Sequence, residues 1–254
     1  MKSTRLDKYG KISTLLSERG RGRVLAILEA FALQGDLITW ELAKAVIRNR
    51  DHQEPSYRKT QAEYGTFHKA VDKLLKTDYI AQHGTVRHST HKKEEFLPQY
   101  GLTVKGFYVT MVISEKVRQN WQTWVGNARK DAALPADMKT MFAKFIEYGA
   151  SQLLFLKFFV DPNERLVTST YNMDAVDGKT FLDACVEKLI LTFEEGRFNL
   201  LKNLSPKDRT VLMKIYRDPG IQKIRESFLD FLKEEYREKA QKIDEFRKTI
   251  IKQP

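Results

Sequence analysis

From Gly22 the apolar residues fall at Val24, Ile27, Leu28, Phe31 and Leu33, the spacing of an amphipathic helix, and Gln34-Gly35-Asp36 ends it. Thr39 is placed to cap a second, shorter helix from Trp40 to about Arg48, with Leu42, Ala43, Val46 and Ile47 on one stripe. A polar stretch, Asn49 to Ser56, contains Pro55 as a break. The helical period then returns, and a third helix is predicted between Tyr57 and Lys76 with Phe67, Ala70, Val71 and Leu74 inward. A winding of about 100° per residue puts Arg58, Gln61, Gly65, Lys69 and Lys76 on the opposite side, flanked by Thr66, His68 and Lys73. Only Asp72 opposes the positive charge of that face.

At Thr77-Asp78 the period changes. Tyr79 to His83 reads as a strand, Gly84 opens a polar tip from Thr85 to Glu95, and Phe96 to Leu102 returns as a second strand, which Pro98 assigns to a sheet edge. A helix restarts at Thr103, and from Ser114 everything reads helical. Segments are expected at about 114–131 with Trp121 and Trp124, at 136–160 after Pro135, around Phe181 to Phe193, from the cap Ser205 with Pro206 at the first helical position, and beyond Asp218-Pro219-Gly220. The aromatic run of 136–160, including Phe142, Phe145 and Phe159, reads as packed core rather than as the lining of an effector pocket. The last helix spaces Ile221, Ile224, Phe228, Leu232, Tyr236, Ala240, Ile243 and Ile250 three or four apart. Such a stripe needs a partner helix, from its own domain or from a second subunit. The expected fold is therefore mainly α. A basic arm (1–20) precedes a unit of three helices and a β-hairpin (21–113), and an all-helical domain (114–254) follows.

Charge sharpens this division. Of the net +11, residues 1–120 hold 21 Lys+Arg against 13 Asp+Glu, a net of +8, whereas residues 121–254 hold 23 against 20, a net of +3. An excess at the front is the footprint of a segment that meets a polyanion. The single Cys185 allows no intramolecular disulfide and fits a reducing, cytoplasmic setting. The most apolar run, Leu153 to Val160 with Lys157 inside it, is too short to span a bilayer, so no membrane is expected.

Motifs for catalysis are absent: there is no G-x-x-x-x-G-K-[ST], no G-x-G-x-x-G, no H-E-x-x-H and no G-x-S-x-G. No enzyme activity and no cofactor are therefore expected. His83, His88 and His91 have no thiol or acidic partner at ligand spacing and read as structural or contact residues, not as a metal site.

The segment from Thr66 to Ile80, T-F-H-K-A-V-D-K-L-L-K-T-D-Y-I, resembles the recognition helix and first wing strand of winged helix-turn-helix regulators of the PadR and MarR type. Tyr100-Gly101-Leu102-Thr103-Val104-Lys105-Gly106 is similar to the close of their wing. The resemblance covers about residues 20–120, with a longer approach to the third helix and a larger wing tip than usual. It implies a homodimeric transcription regulator, pairing through its C-terminal helices, that reads double-stranded DNA with a helix near 58–76 in the major groove and a basic wing at 84–95. Gln61 suits adenine; Arg58 and Lys69 suit guanine or phosphate. Thr66, His68 and Lys73 lie beside them, and Gly65 allows close approach. Arg87, His88, His91, Lys92 and Lys93 are expected to serve affinity through the backbone. The alternative is a winged-helix module that docks onto another protein within a larger assembly.

Overall fold

A computed structural model of the chain describes residues 21–90, 93–129, 134–161, 167, 173–185, 204–227, 230, 234 and 237. The side chains of residues 88–90 and 93–95 are not among what is described. The basic arm 1–20 and the apolar positions of the last helix from Phe228 onward lie outside the described residues. The fold is mainly helical with one small antiparallel sheet.

Helix α1 (Arg21–Gln34) buries Ile27, Leu28 and Phe31 and stops at Gly35, whose φ of 84° a side chain would resist. A two-residue strand β1 (Leu37–Ile38) leads into α2 (Thr39–Asp51). The expected cap at Thr39 is corrected: Ile38 is the N-cap residue, no side chain caps the helix end, and Thr39 is buried instead. Glu41 Oε2 accepts from the Ile38 amide at 3.4 Å, which supplies the missing partner for one of the terminal donors. Helix α3 (Tyr57–Lys76) starts where Ser56 Oγ accepts from the Lys59 amide at 3.3 Å. Its inward stripe of Phe67, Val71 and Leu74 is about 1% exposed.

After α3 the chain turns through Asp78, in the left-handed region at φ 60°, into the hairpin β2 (Ile80–Thr90) and β3 (Lys93–Leu102). Two differences from expectation follow. The strands reach far into what reads as a polar tip, pairing as far as Thr90 with Lys93, because a two-stranded ribbon exposes both faces to water and needs no apolar alternation. Pro98 is on the central strand, not at an edge, since the sheet order is β1-β3-β2. Proline is tolerated there because β1 pairs with β3 only at Gln99 and Tyr100, so Pro98 faces no β1 residue in register.

Helix α4 (Val104–Ile113) has all ten residues buried, so both halves of the molecule pack around it. The segment expected as one helix at 114–131 is two, α5 (Glu115–Gln119) and α6 (Trp121–Ala128), parted at Asn120. The segment 136–160 also divides. Helix α7 (Ala136–Glu147) is followed by Gly149 at φ 71°, then by α8 (Gln152–Phe155), which widens into a π-helical turn (Leu156–Val160). A 3-10 turn (Met173–Ala175), α9 (178–185), α10 (Pro206–Arg217, capped by Ser205) and α11 (219–227) complete the described elements.

The aromatic run packs densely: Trp121 stacks on Phe155 at 4.5 Å between centroids, and Phe159 meets Phe142 and Phe145 at 4.8 Å. One continuous apolar core extends from Val24 in α1 to Ile221 in α11. No helix among the described residues is long and apolar enough to cross a membrane.

Candidate nucleic-acid interface

The periodicity that buries Phe67, Val71 and Leu74 forces the other face of α3 outward. Arg58, Gln61, Gly65, Thr66, His68, Lys69 and Lys73 are all exposed along it. Arg58, Lys69 and Lys76 form no ion pair among the described residues. The neighbouring acids are engaged elsewhere. Arg50 grips Glu63 through two bonds of 2.7 and 3.0 Å and also reaches Asp51. Lys59 Nζ lies 2.6 Å from Asp51, and Arg48 pairs with Glu54 at 3.3 Å. Hydrogen bonds from Arg50 and Lys59 hold the Asp51 carboxyl far below the usual carboxylate range, and the Arg50 bonds lower that of Glu63. Exposed pairs of this kind add little stability. Their consequence is that three carboxylates near the start of α3 are neutralised by cations behind or beside its outward face.

Asp72 remains on that face. His68 Nδ1 lies 3.3 Å from its Oδ2, one turn away, with both side chains about half exposed. The histidine read from sequence as a direct contact is therefore shared with the one opposing acid.

Gly65 occupies the middle of the face, and a Cβ placed there would meet nothing within 4 Å. Glycine inside a helix costs about 0.5–1 kcal/mol relative to alanine. Neither packing nor backbone conformation within the molecule requires it, so the smooth surface it leaves is open to something outside.

Beside α3 stands the hairpin. Backbone register puts Arg87 opposite Phe96, His88 opposite Glu95 and Lys93 opposite Thr90. Arg87 is exposed. The side chains of His88 and Lys93, and the whole of His91 and Lys92, lie outside the described residues. Glu94 and Glu95 on the same ribbon make its charge mixed rather than purely basic.

His83 lies away from the outward face of α3. It sits where the β2–β3 register slips between Gln82 and Gly84, with Nδ1 3.1 Å from Asp36 Oδ1, and the pair packs over Gly101, where a Cβ would collide with both. Among the described residues no three His, Cys, Asp or Glu converge as metal ligands.

Three exposed or half-buried aromatics, Trp40, Tyr57 and Phe96, escaped sequence reasoning as surface groups. Trp40, at the start of α2, lies 5.3 Å from the Tyr57 ring and 5.7 Å from Tyr64, forming a shelf along one flank of α3. Tyr57 is 73% exposed and Phe96, on the hairpin, 68%. Both belong to apolar types, so a pattern that counts them toward a core cannot flag them.

Chemically, among the described residues this surface offers cations and an amide side chain on an exposed helix face beside the hairpin. Such a helix has the dimensions of the B-DNA major groove. No family model, no curated protein and no solved structure matches this chain, so its functional reading rests on these residues.

Proposed function

We propose that residues 21–113 form a winged helix-turn-helix that binds double-stranded DNA, and that the protein is a sequence-specific transcription regulator without catalytic activity. The element order helix, short strand, helix, helix, hairpin supports this, as does the pairing of β1 with the last strand of the hairpin. The observation that carries it is the outward face of α3. Its cations Arg58 and Lys69, with Gln61 and Gly65 between them, are turned to solvent, while Glu63 is bonded to Arg50, Asp51 to Lys59, and Asp72, beside His68, is the one acid left on that face. In this reading Gln61 and Lys69 contact base edges from the major groove, Arg58, Thr66 and Lys73 contact the flanking backbone, and the hairpin with Arg87 reaches the adjacent groove. Dimerisation through 114–254 would set the spacing of two half-sites. The working compartment is the cytoplasm.

Selection of bound fragments from random duplex DNA, followed by titration at several salt concentrations, tests it. A shared motif should emerge, and affinity should fall with a log–log slope of about −0.9 per phosphate neutralised. Lys69→Ala should cost about 1–3 kcal/mol and relax the motif at one position if its contact is bidentate. Failure to enrich any sequence, with weak and salt-insensitive binding, would remove the assignment.

A second reading, docking onto another protein, is favoured by the exposed Tyr57 and Phe96. Tyr57→Ala together with Phe96→Ala would abolish such docking, and moderate salt would leave the docking of the parent intact.

A further inference from the structure

The joint between α3 and the hairpin is held from the opposite half of the molecule. Thr77, Asp78 and Tyr79 make the turn, and each is bonded directly or through Lys105 to residues 173–178. Lys105, fully buried in α4, donates through Nζ to Thr77 O at 2.6 Å and to Val176 O at 2.7 Å, with its ammonium 4.4 Å from the Tyr79 ring centre. The Tyr79 hydroxyl donates to Asp174 Oδ1 at 2.9 Å, and the Gly178 amide donates to Asp78 Oδ2 at 2.5 Å. Met173, 1% exposed, anchors the segment in the core. A Cβ at Gly178 would stand 2.6 Å from Asp78 Oδ2, so the carboxylate that accepts the Gly178 amide would have to shift.

A buried ammonium without its carbonyl partners is costly. Departure of residues 173–178 would leave Lys105 with Thr77 O and a ring face, so release of the segment and hydration of Lys105 are one event. A contact that is either dry and fully bonded or open and wet has two discrete arrangements, the requirement for a control element.

We propose that residues 173–178 are a clamp through which the helical half controls the reader surface: docked, they fix the last turn of α3 and the root of the hairpin together, and released, they loosen both, with Lys105 as the positioning residue. The proposal rests on the reading of that surface as a binder of duplex DNA. The groups facing Lys105 are Asp78 and Tyr79 from the joint and Asp174 and Asp177 from the clamp side. Burial lowers its ammonium to about 8, against the attraction of Asp174, Asp78 and Asp177. The docked state therefore sheds a proton that the released state, with a hydrated lysine, keeps. Docking strengthens as pH rises from about 8 to about 10.5 and gains nothing further above that range.

Hydrogen exchange on the full chain, read with and without a selected duplex, tests the clamp in three variants: Gly178→Ala, Tyr79→Phe and Lys105→Met. Gly178→Ala and Tyr79→Phe should raise exchange at residues 77–80 by about tenfold or more, leave α1 and α7 protected, and weaken duplex affinity severalfold. After correction for intrinsic rates, the parent should gain protection at 77–80 between about pH 7.5 and about pH 9.5, and Lys105→Met should lose that dependence. Unchanged exchange at 77–80, an increase spread evenly over the molecule, or an equal pH response in Lys105→Met would overturn the clamp. Local loosening with unaltered duplex affinity would overturn its control of the reader. Absence of duplex binding by the parent would instead remove the functional reading, while the exchange measurements still decide whether the clamp exists.

Discussion

Gly65 and Gly106 stand in helices for opposite reasons, and substituting alanine separates them. At Gly65 a Cβ meets empty space on the outward face of α3. Gly65→Ala should therefore stabilise the protein by about 0.5–1 kcal/mol in chemical denaturation. The same methyl group would stand between the helix and anything that approaches it closely, so duplex affinity should fall. A stabilised variant with unchanged affinity would take Gly65 off the contact surface. At Gly106 the added Cβ would lie 2.0 Å from the Tyr79 carbonyl oxygen, which is backbone and has nowhere to retreat. Gly106→Ala should cost on the order of 2–4 kcal/mol, measured by the same denaturation, because α4 must move off the turn that ends α3. A loss below about 1 kcal/mol would show that α4 slides freely. The stretch Tyr100 to Gly106, which ends the hairpin and starts α4, is crowded by contacts that fix its residue types. Gly101 makes room for His83 and Asp36, Thr103 caps α4 while donating to Asp78 O, Lys105 bonds Thr77 O, and Gly106 admits the Tyr79 backbone.

For α3 as an element, the balance of charge on one face matters more than any single contact. Asp72 is its one acid, and the His68 beside it is half exposed, so their pairing contributes little to stability. Asp72→Asn should leave unfolding within about 0.5 kcal/mol of the parent and raise duplex affinity severalfold at low salt, with the gain shrinking as salt is added. An affinity that is unchanged or lower would mean that the face is not turned toward phosphates. The start and inward face of α3 were legible in the sequence because Pro55 breaks the chain and Phe67, Val71 and Leu74 repeat at helical spacing, whereas the Ser56 cap came only with the structure. The hairpin was legible in order but not in length, since its outer pairs, such as Ser89 with Glu94, are polar on both sides and resemble a loop. The break at Gly149 was hidden because apolar residues continue across it and the left-handed turn there involves no proline. Lys105 was hidden for another reason. A lysine in an apolar stretch reads as a surface residue, and only the carbonyls of Thr77 and Val176, one of them 71 residues away, make its burial tolerable.

Across the whole molecule, α4 determines how the halves cooperate. Its ten residues are all buried, and they are covered from both sides of the chain. The Trp124 indole donates to Phe107 O at 3.3 Å, and the Tyr108 ring meets Phe181 and Trp124 at 6.2 Å. Burial of each such aromatic is worth roughly 1.5–3 kcal/mol, so a chain cut after Ile113 would leave Phe107, Tyr108, Met111 and Val112 facing water on at least one side. The unit 21–113 should consequently fail to fold alone, and the intact protein should unfold in one step. The three tryptophans make this measurable: Trp40 lies beside α3, whereas Trp121 and Trp124 lie in the aromatic core of the second half. In urea, fluorescence from a Trp40→Phe variant, which reports only the second half, should coincide with loss of helical circular dichroism from the entire chain. A fluorescence midpoint displaced from the dichroism midpoint, or an isolated fragment 21–113 that melts cooperatively, would show that α3 and the hairpin can hold their shape without the helical half, and a device that controls them from residues 173–178 would then have nothing to act on.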